Sequence, residues 1–341
     1  MPVNQGFEAC AAGRTTTMRG HFMHGKERVA LAIAHRVPDR VPRGELYIDD
    51  AVVRRLLGCP AVGFEERREF ARRLELDIIC LSPVYPLEAA GGGMPPAAAV
   101  SWPDLDRWVR QTDLFVFVLL EGAFGWGCRL WGYERFFCAV ARESTELADL
   151  ICMVEKYNLE LVERAAGMGA MGVLIADDMA YRRGPVAHPA VLRRHFFPSL
   201  VRQVSRAAAL GVPVFFHSDG NLNDLLEDIV QTGFHGLQCL EPAAGMDIGR
   251  IKRLYGDRLC LWGNLDPEEL ILPRSPRELQ QKVHSLLAAA APGGGFIFGT
   301  CSGLIDGMRV ENILAAYGAA DMKPEDCVGF HLPETPTVGG K

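Results

Sequence analysis

Eight short apolar runs, separated by segments of helical pattern, constrain this chain more than any other feature. They are VPRGELY (41–47), DIICLS (77–82), FVFVLLEGAF (115–124), GVLIADDM (172–179), VPVFFHSDG (212–220), GLQCLEP (236–242), LCLWGNLD (259–266) and GFIFGTCS (295–302). Continuous apolar runs of this length, bounded by Gly, Asp or Asn, suit strands buried on both faces. The clearest helix between them is SPRELQQKVHSLLAAAAPGGG, with Ser275 as N-cap, Pro276 at the first helical position, Glu278 completing a capping box and glycines ending it. NDLLEDIVQTG (223–233) and VLRRHFFPSLVRQVSRAAALG (191–211) also stop at glycines, and Pro198 is expected to bend the second. This alternation predicts an α/β chain folded as a (β/α)8 TIM barrel, a single domain over residues 24–325 between a flexible N-terminal tail (1–23) and a C-terminal tail (326–341). A doubly wound open sheet is the competing arrangement. It lacks support, because no dinucleotide fingerprint follows the first run. GMGAMG (167–172) fits the string but precedes a strand, so no helix N-terminus is there to hold a pyrophosphate.

Composition narrows the function. Net charge is −6 with acids and bases interspersed, and no basic stripe points to nucleic acid or an anionic membrane. The longest wholly apolar run, FVFVLL (115–120), is far too short to span a bilayer, and the first twenty residues lack the apolar core of a signal peptide. Met18 and Met23 are candidate alternative starts. The 10 cysteines are spread along the chain without a CxxC pair, and they read as reduced cytoplasmic thiols, mostly small core residues.

In a barrel, reactive groups gather where strands end. Here the strand ends carry Asp177 and Asp178, His217 and Asp219, Glu241, Asn264 and Asp266, and Cys301. His217 and Asp219 lie two apart in FFHSDGN (215–221), so in a strand both face one way, into the expected mouth. A histidine, a cysteine and one or two carboxylates form a plausible zinc site, since zinc accepts imidazole nitrogen, thiolate sulfur and carboxylate oxygen. His217 and Cys301 are the expected ligands, with Glu241 or Asp219 as the third. Asp177 and Asp178 read equally as an acid/base pair or as a structural salt-bridge feature, and Tyr181 and Arg182 are placed to bind an anionic group. Asp178, Tyr181 and Asp219 are the candidate catalytic residues. The Ala/Gly-rich stretch 89–99 reads as a mobile loop over the mouth. The long excursion holding GWGCRLWGYERFF (125–137) reads as a substrate lid or, equally, as a surface hairpin.

KERVALAIAHRVPDRVP (26–42), IADDMAYRRGP (175–185), FFHSDGN (215–221), LEPAAGMD (240–247), LWGNLDP (261–267) and FGTCSGL (298–304) together resemble the uroporphyrinogen decarboxylase superfamily over residues 24–320. The resemblance implies a (β/α)8 barrel and one of two activities. The decarboxylases bind porphyrinogen carboxylates through an N-terminal loop of the form MRQAGRYLPE. The corresponding place here reads VPRGELYIDD, keeping Arg43 but not the rest, and Glu45, Asp49 and Asp50 are expected to repel a polycarboxylate. The corrinoid-dependent methyltransferases resemble one another in a zinc site with a His-x-Cys pair and a later cysteine. His217 matches the histidine, Cys301 matches the later cysteine, and Asp219 stands where the first cysteine would be. The resemblance therefore implies a zinc-dependent methyltransferase working with a corrinoid protein, on a small methyl donor such as a methyl ether. No cobalamin-binding D-x-H-x-x-G string is present, so the corrinoid is expected on a partner. The alternatives are a metal-free porphyrinogen decarboxylase and a non-catalytic ligand-binding barrel.

Overall fold

The computed structural model describes residues 23–86 and 93–321. Residues 1–22 and the C-terminal tail, and residues 89–92 of the expected mouth loop together with 87 and 88 before it, lie outside the described residues. Nine strands are present among the described residues: β1 (Ile78–Leu81), β2 (Phe115–Glu121), β3 (Gly172–Ala176), β4 (Ala180–Tyr181), β5 (Gly184–Pro185), β6 (Val214–His217), β7 (Gly236–Cys239), β8 (Cys260–Leu265) and β9 (Phe296–Thr300). Seven form one curled parallel sheet in the order β1-β2-β3-β6-β7-β8-β9, and β4 and β5 form a small antiparallel hairpin beyond β3. Helices fill the connections, as the pattern of the sequence predicts. The seven expected runs from DIICLS onward are all strands.

The first run is the exception. VPRGELY does not form a regular strand; it touches β9 through a single bridge, Arg43 to Phe298, and the next residue, Ile48, bridges to Leu304 beyond the end of β9. Its backbone still reaches both edges of the sheet, because Gly44 N–H donates to the Phe298 carbonyl at 2.9 Å and Asp77 N–H donates to the Arg43 carbonyl at 2.7 Å. Local chemistry explains the irregularity. Pro42 has no N–H to donate and Gly44 weakens a strand. Glu45 is drawn inward, where it accepts from Thr300 N–H at 2.8 Å, Thr300 Oγ1 at 2.6 Å and the Tyr317 hydroxyl. Close approach also needs Gly299, where a Cβ would overlap the Gly44 carbonyl oxygen.

Strand alternation divides the apolar side chains into two cores. Ile78, Phe117, Leu174, Phe215, Trp262 and Ile297 point into the curl of the sheet, while Val116, Val118, Ile175, Phe216, Leu237 and Phe298 point out to the helices. The helix Gly25–Ile33 plugs one end of the inner core with Val29, Ala32 and Ile33. Burying Val29 or Ile33 in this way is worth about 1.5–3 kcal/mol each. Asp77, just before β1, pins the same end. It is 1% exposed and binds Arg28 at 2.6 Å, Arg40 at 2.6 Å and the Arg43 N–H at 2.8 Å. The plug leaves the opposite end, at the strand C-termini, as the open one.

The helix Pro276–Ala290 has the expected Ser275–Glu278 capping box. The segment 191–211 breaks into two helices, Pro189–His195 and Phe197–Ala209, with Pro198 in the first turn of the second, where its missing N–H costs nothing. No described helix is long and apolar enough to cross a membrane.

Burial pushes the Glu45 carboxyl up to about 7 from 4.5, against the opposing pull of the Thr300 and Tyr317 hydrogen bonds. A carboxyl raised on folding contributes stability that is present in full below its unfolded value near 4.5 and is lost as pH rises through about 7. Glu45→Gln should remove this dependence, so that the variant loses less unfolding free energy than the wild type between pH 5 and pH 8, by about 3 kcal/mol at most. Urea titrations at the two pH values measure it, and parallel curves for the two proteins would refute it. Gly299→Ala should cost about 1–3 kcal/mol by the same titration at one pH, because the Gly44 carbonyl must move away.

Candidate functional site

Five strand ends converge on the open rim. His217 ends β6 and is only 7% exposed. Its Nδ1 is hydrogen-bonded to Gln238 Oε1 on the neighbouring strand, directly opposite in register. The amide orientation follows from its other end, where Gln238 Nε2 donates to the Cys301 carbonyl at 3.3 Å. A carbonyl can only accept, so the amide oxygen must face His217, and the neutral imidazole must carry its proton on Nδ1. The Nε2 lone pair is left directed at two carboxylates, with Asp178 Oδ1 at 3.9 Å and Asp219 Oδ1 at 4.0 Å. One donor atom from each of these three residues lies within 4.8 Å of the others, the spacing of a metal-ligand set. No hydrogen bond joins Nε2 to either acid at these distances. A histidine held in one tautomer, with its free nitrogen facing two exposed acids, fits a divalent cation with imidazole and carboxylate ligands.

The loop after β6 is tightly held. Ser218 Oγ accepts from Met179 N–H at 3.1 Å, Asp219 N–H donates to Asp178 Oδ1 at 3.1 Å, and Gly220 N–H donates to Glu241 Oε2 at 3.0 Å. Gly220 has φ +85° and packs on the backbone of Tyr181, leaving no room for a Cβ. The Tyr181 carbonyl accepts from Asn221 N–H at 2.9 Å, while its side chain is 52% exposed at the rim. Asp219 is thus brought to His217. Glu241, by contrast, is engaged with the loop backbone, and both it and Cys301 lie outside the three-donor group. Cys301 is buried at the end of β9, its thiol 3.8 Å from Ser302 Oγ and in contact with the thiol of Cys239.

The two neighbouring aspartates separate in role. Asp177 is buried and accepts from Phe124 N–H at 2.7 Å, which caps the helix Ala123–Trp131. Burial, reinforced by the nearby Asp178 charge, pushes its carboxyl up to about 7. Asp178 is exposed and lies both in the donor group and in the lining of an adjoining cleft. That cleft, of about 710 Å³, is walled by Tyr85, Phe124, Tyr133 and Phe137, with Arg129 paired to Glu121 at 2.8 Å. The excursion after β2 supplies this wall as two helices, Ala123–Trp131 and Tyr133–Ala141, rather than as a hairpin.

Sequence reasoning missed two residues. Gln238 and Cys239 sit in a run read only as a buried strand, and Cys239 as packing. The available signal was Gln238 itself, a polar side chain inside an apolar run, which a buried strand tolerates only when its amide is satisfied.

Arg43 and the acids near it stand differently from expectation. Arg43 is 3% exposed and faces the plugged end, paired with Glu75 at 3.3 Å and Asp321 at 3.1 Å. Glu45 is buried, Asp49 caps the helix Asp50–Leu57, and Asp50 is paired with Arg67. None of the four lines the rim cleft.

Comparison with known proteins adds kinship to this geometry. The profile described as uroporphyrinogen decarboxylase (URO-D) matches residues 109–322. A uroporphyrinogen decarboxylase from Alkalilimnicola ehrlichii is 28% identical over 179 residues, 50% of this chain and 46% of that protein. The methylcobamide:CoM methyltransferase MtaA from Methanosarcina barkeri is 29% identical over 157 residues, 45% of this chain and 42% of that protein. The matched stretches thus span less than half the length of these relatives. Among solved structures, a methyltransferase from Methanosarcina mazei superposes with a TM-score of 0.68 at 19% identity, covering 88% of this chain and 99% of that one, a likeness of fold.

Replacing Gln238 by Met should release the His217 tautomer while keeping the volume of the side chain. Metal affinity, titrated with zinc or cobalt, should fall roughly 10–100-fold with the far-ultraviolet circular dichroism unchanged. An unaltered affinity would show that the amide does not set the histidine.

Proposed function

Because the chain belongs to the uroporphyrinogen decarboxylase family, we propose that it is a cytoplasmic, zinc-dependent methyltransferase, moving a methyl group between a small molecule such as a methyl ether and a corrinoid held by a partner protein. In this reading the fold is a (β/α)8 barrel whose eighth side is the segment 42–48. The observation that carries the reading is the orientation of His217, whose free Nε2 faces Asp178 and Asp219, the first of which also lines an aromatic-walled cleft. His217 and Cys301 hold the ion, with Asp219 as third ligand in preference to Glu241, whose carboxylate steadies the Gly220 backbone.

Zinc, when bound, polarises the oxygen or thiol that exchanges the methyl group and lowers its pKa. The protein's own groups do the rest. The cleft lined by Tyr85, Phe124, Tyr133 and Phe137 takes the body of the small molecule and excludes water from it. Asp178, at the junction of cleft and donor group, hands a proton to the oxygen that loses its methyl, or takes one from the acceptor. Tyr181 stands exposed at the rim, where it orients the substrate. The same rim is open to a corrinoid protein, since the helix Gly25–Ile33 plugs the other end.

The second reading, porphyrinogen decarboxylation, draws support from the decarboxylase relatives. It would need several cations facing a polycarboxylate, and Arg43, the residue kept from the decarboxylases' N-terminal loop, is turned to the plugged end, paired with Glu75 and Asp321. Elemental analysis and two assays separate the readings. The purified chain should carry zinc, and it should methylate cob(I)alamin from an aryl methyl ether or demethylate methylcobalamin with a thiol, followed by the corrinoid absorbance. His217→Ala and Cys301→Ala should lose most of the zinc and the transfer, whereas Cys260→Ala, in the inner core, should keep the metal. A metal-free protein that decarboxylates uroporphyrinogen at an ordinary enzymatic rate would overturn the assignment.

A further inference from the structure

Cys239 should point away from the site. Along β7, Gln238 faces the inside of the sheet, where it meets His217, and Leu237 packs outward with the helices. Alternation would send Cys239 outward as well. It does not go there. Cys239 has φ +93° and Leu240 φ +60°, two consecutive non-glycine residues in the left-handed region. The Leu240 carbonyl is held there by Asn264 Nδ2 at 2.8 Å. The turn aims the thiol across the rim, where Cys239 Sγ donates to Asp219 Oδ1 at 3.2 Å and touches the Cys301 thiol. The same Asp219 oxygen is 4.0 Å from the unpartnered Nε2 of the nearly buried His217. One carboxylate oxygen therefore stands between an imidazole nitrogen and a pair of thiols.

We propose that Cys239 is a further sulfur ligand of the metal centre, joining His217, Cys301 and Asp219, so that the donor set holds one nitrogen and two sulfurs beside the carboxylate. This rests on the metal-dependent reading above and deepens it, because it fixes the chemistry of the ion. Two thiolates favour zinc over magnesium or calcium, which take oxygen ligands. They also put more negative charge on the ion than one thiolate and a carboxylate, so the centre suits activation of a soft nucleophile such as a thiol as well as polarisation of an oxygen. Conformations in sparsely populated backbone regions cost on the order of 1–3 kcal/mol each and persist where the surroundings enforce them. Here the result is a donor atom delivered to the rim.

The test is spectroscopic and needs no turnover. Cobalt(II) loaded into the protein reports thiolate ligands by a sulfur-to-metal charge-transfer band in the near ultraviolet whose intensity follows their number. Cys239→Ser should lower the band to about half of the wild-type intensity, as should Cys301→Ser, and the double variant should abolish it. Cys59→Ser, at a partly exposed cysteine beyond the helix Asp50–Leu57, should leave the band unchanged. X-ray absorption on the zinc-loaded wild type should count two sulfurs, which keeps the question open to measurement even if a variant fails to fold. A single sulfur, or a Cys239→Ser band equal to wild type, overturns the proposal while leaving the metal-dependent reading standing. A wild-type protein that takes up neither zinc nor cobalt overturns both.

Discussion

Parallel pairing is the constraint from which the rest follows. Every strand of the main sheet runs the same way, so the residue that ends each one arrives at the same rim. Glu121, Asp178, His217, Cys239 and Cys301 are scattered over 180 positions of sequence, yet they are neighbours because hydrogen-bonded strands lie about 4.8 Å apart. An antiparallel sheet of the same strands would have divided them between two ends. The inner core adds polarity, since Val29, Ala32 and Ile33 stop one end with apolar side chains and Asp77 ties three arginines across it. Chemistry is left with one place to occur.

At that place the important groups are the ones that hold others. Gln238 has no reactive atom, but its amide reads the Cys301 carbonyl at one end and sets the His217 proton at the other. Glu241 offers its carboxylate to the Gly220 backbone, which keeps Asp219 turned toward the imidazole. Asp177 caps the helix that brings the aromatic wall over the mouth. Fixing ligand orientation before the ligand arrives reduces the entropy that binding must overcome.

The parts of this arrangement that were legible in the sequence are those that obey a period. Seven apolar runs form the sheet, the Ser275 capping box is as expected, and His217 and Asp219 share a face because they lie two apart. The parts that were not legible break a period. The run 41–47 is apolar enough for a strand, but Pro42 and Gly44 interrupt its pairing, and Glu45 takes its bonds with a side chain instead. Cys239 could not be placed by alternation, because two positive φ angles reverse its direction, and nothing in LQCLEP announces them. The separation of Asp177 from Asp178 depends on a helix start more than fifty residues earlier, a contact that no local pattern encodes.

The bond between Glu45 and Thr300 also orders events in time. The two residues are 255 positions apart, and Tyr317, the third member, is later still. A chain emerging N-terminus first can pair β1 with β2 and β2 with β3 as each is made. The segment around Gly44, however, has nothing to lie against on one side until β9 is complete. During synthesis the early half is therefore a sheet with an exposed apolar inner face, and long-range closure of this kind is slow because loop entropy is paid before the contact repays it. The helix Val310–Ala319 supplies the hydroxyl that completes this set of bonds, so the segment around Gly44 is fully held only after residue 317 has been made.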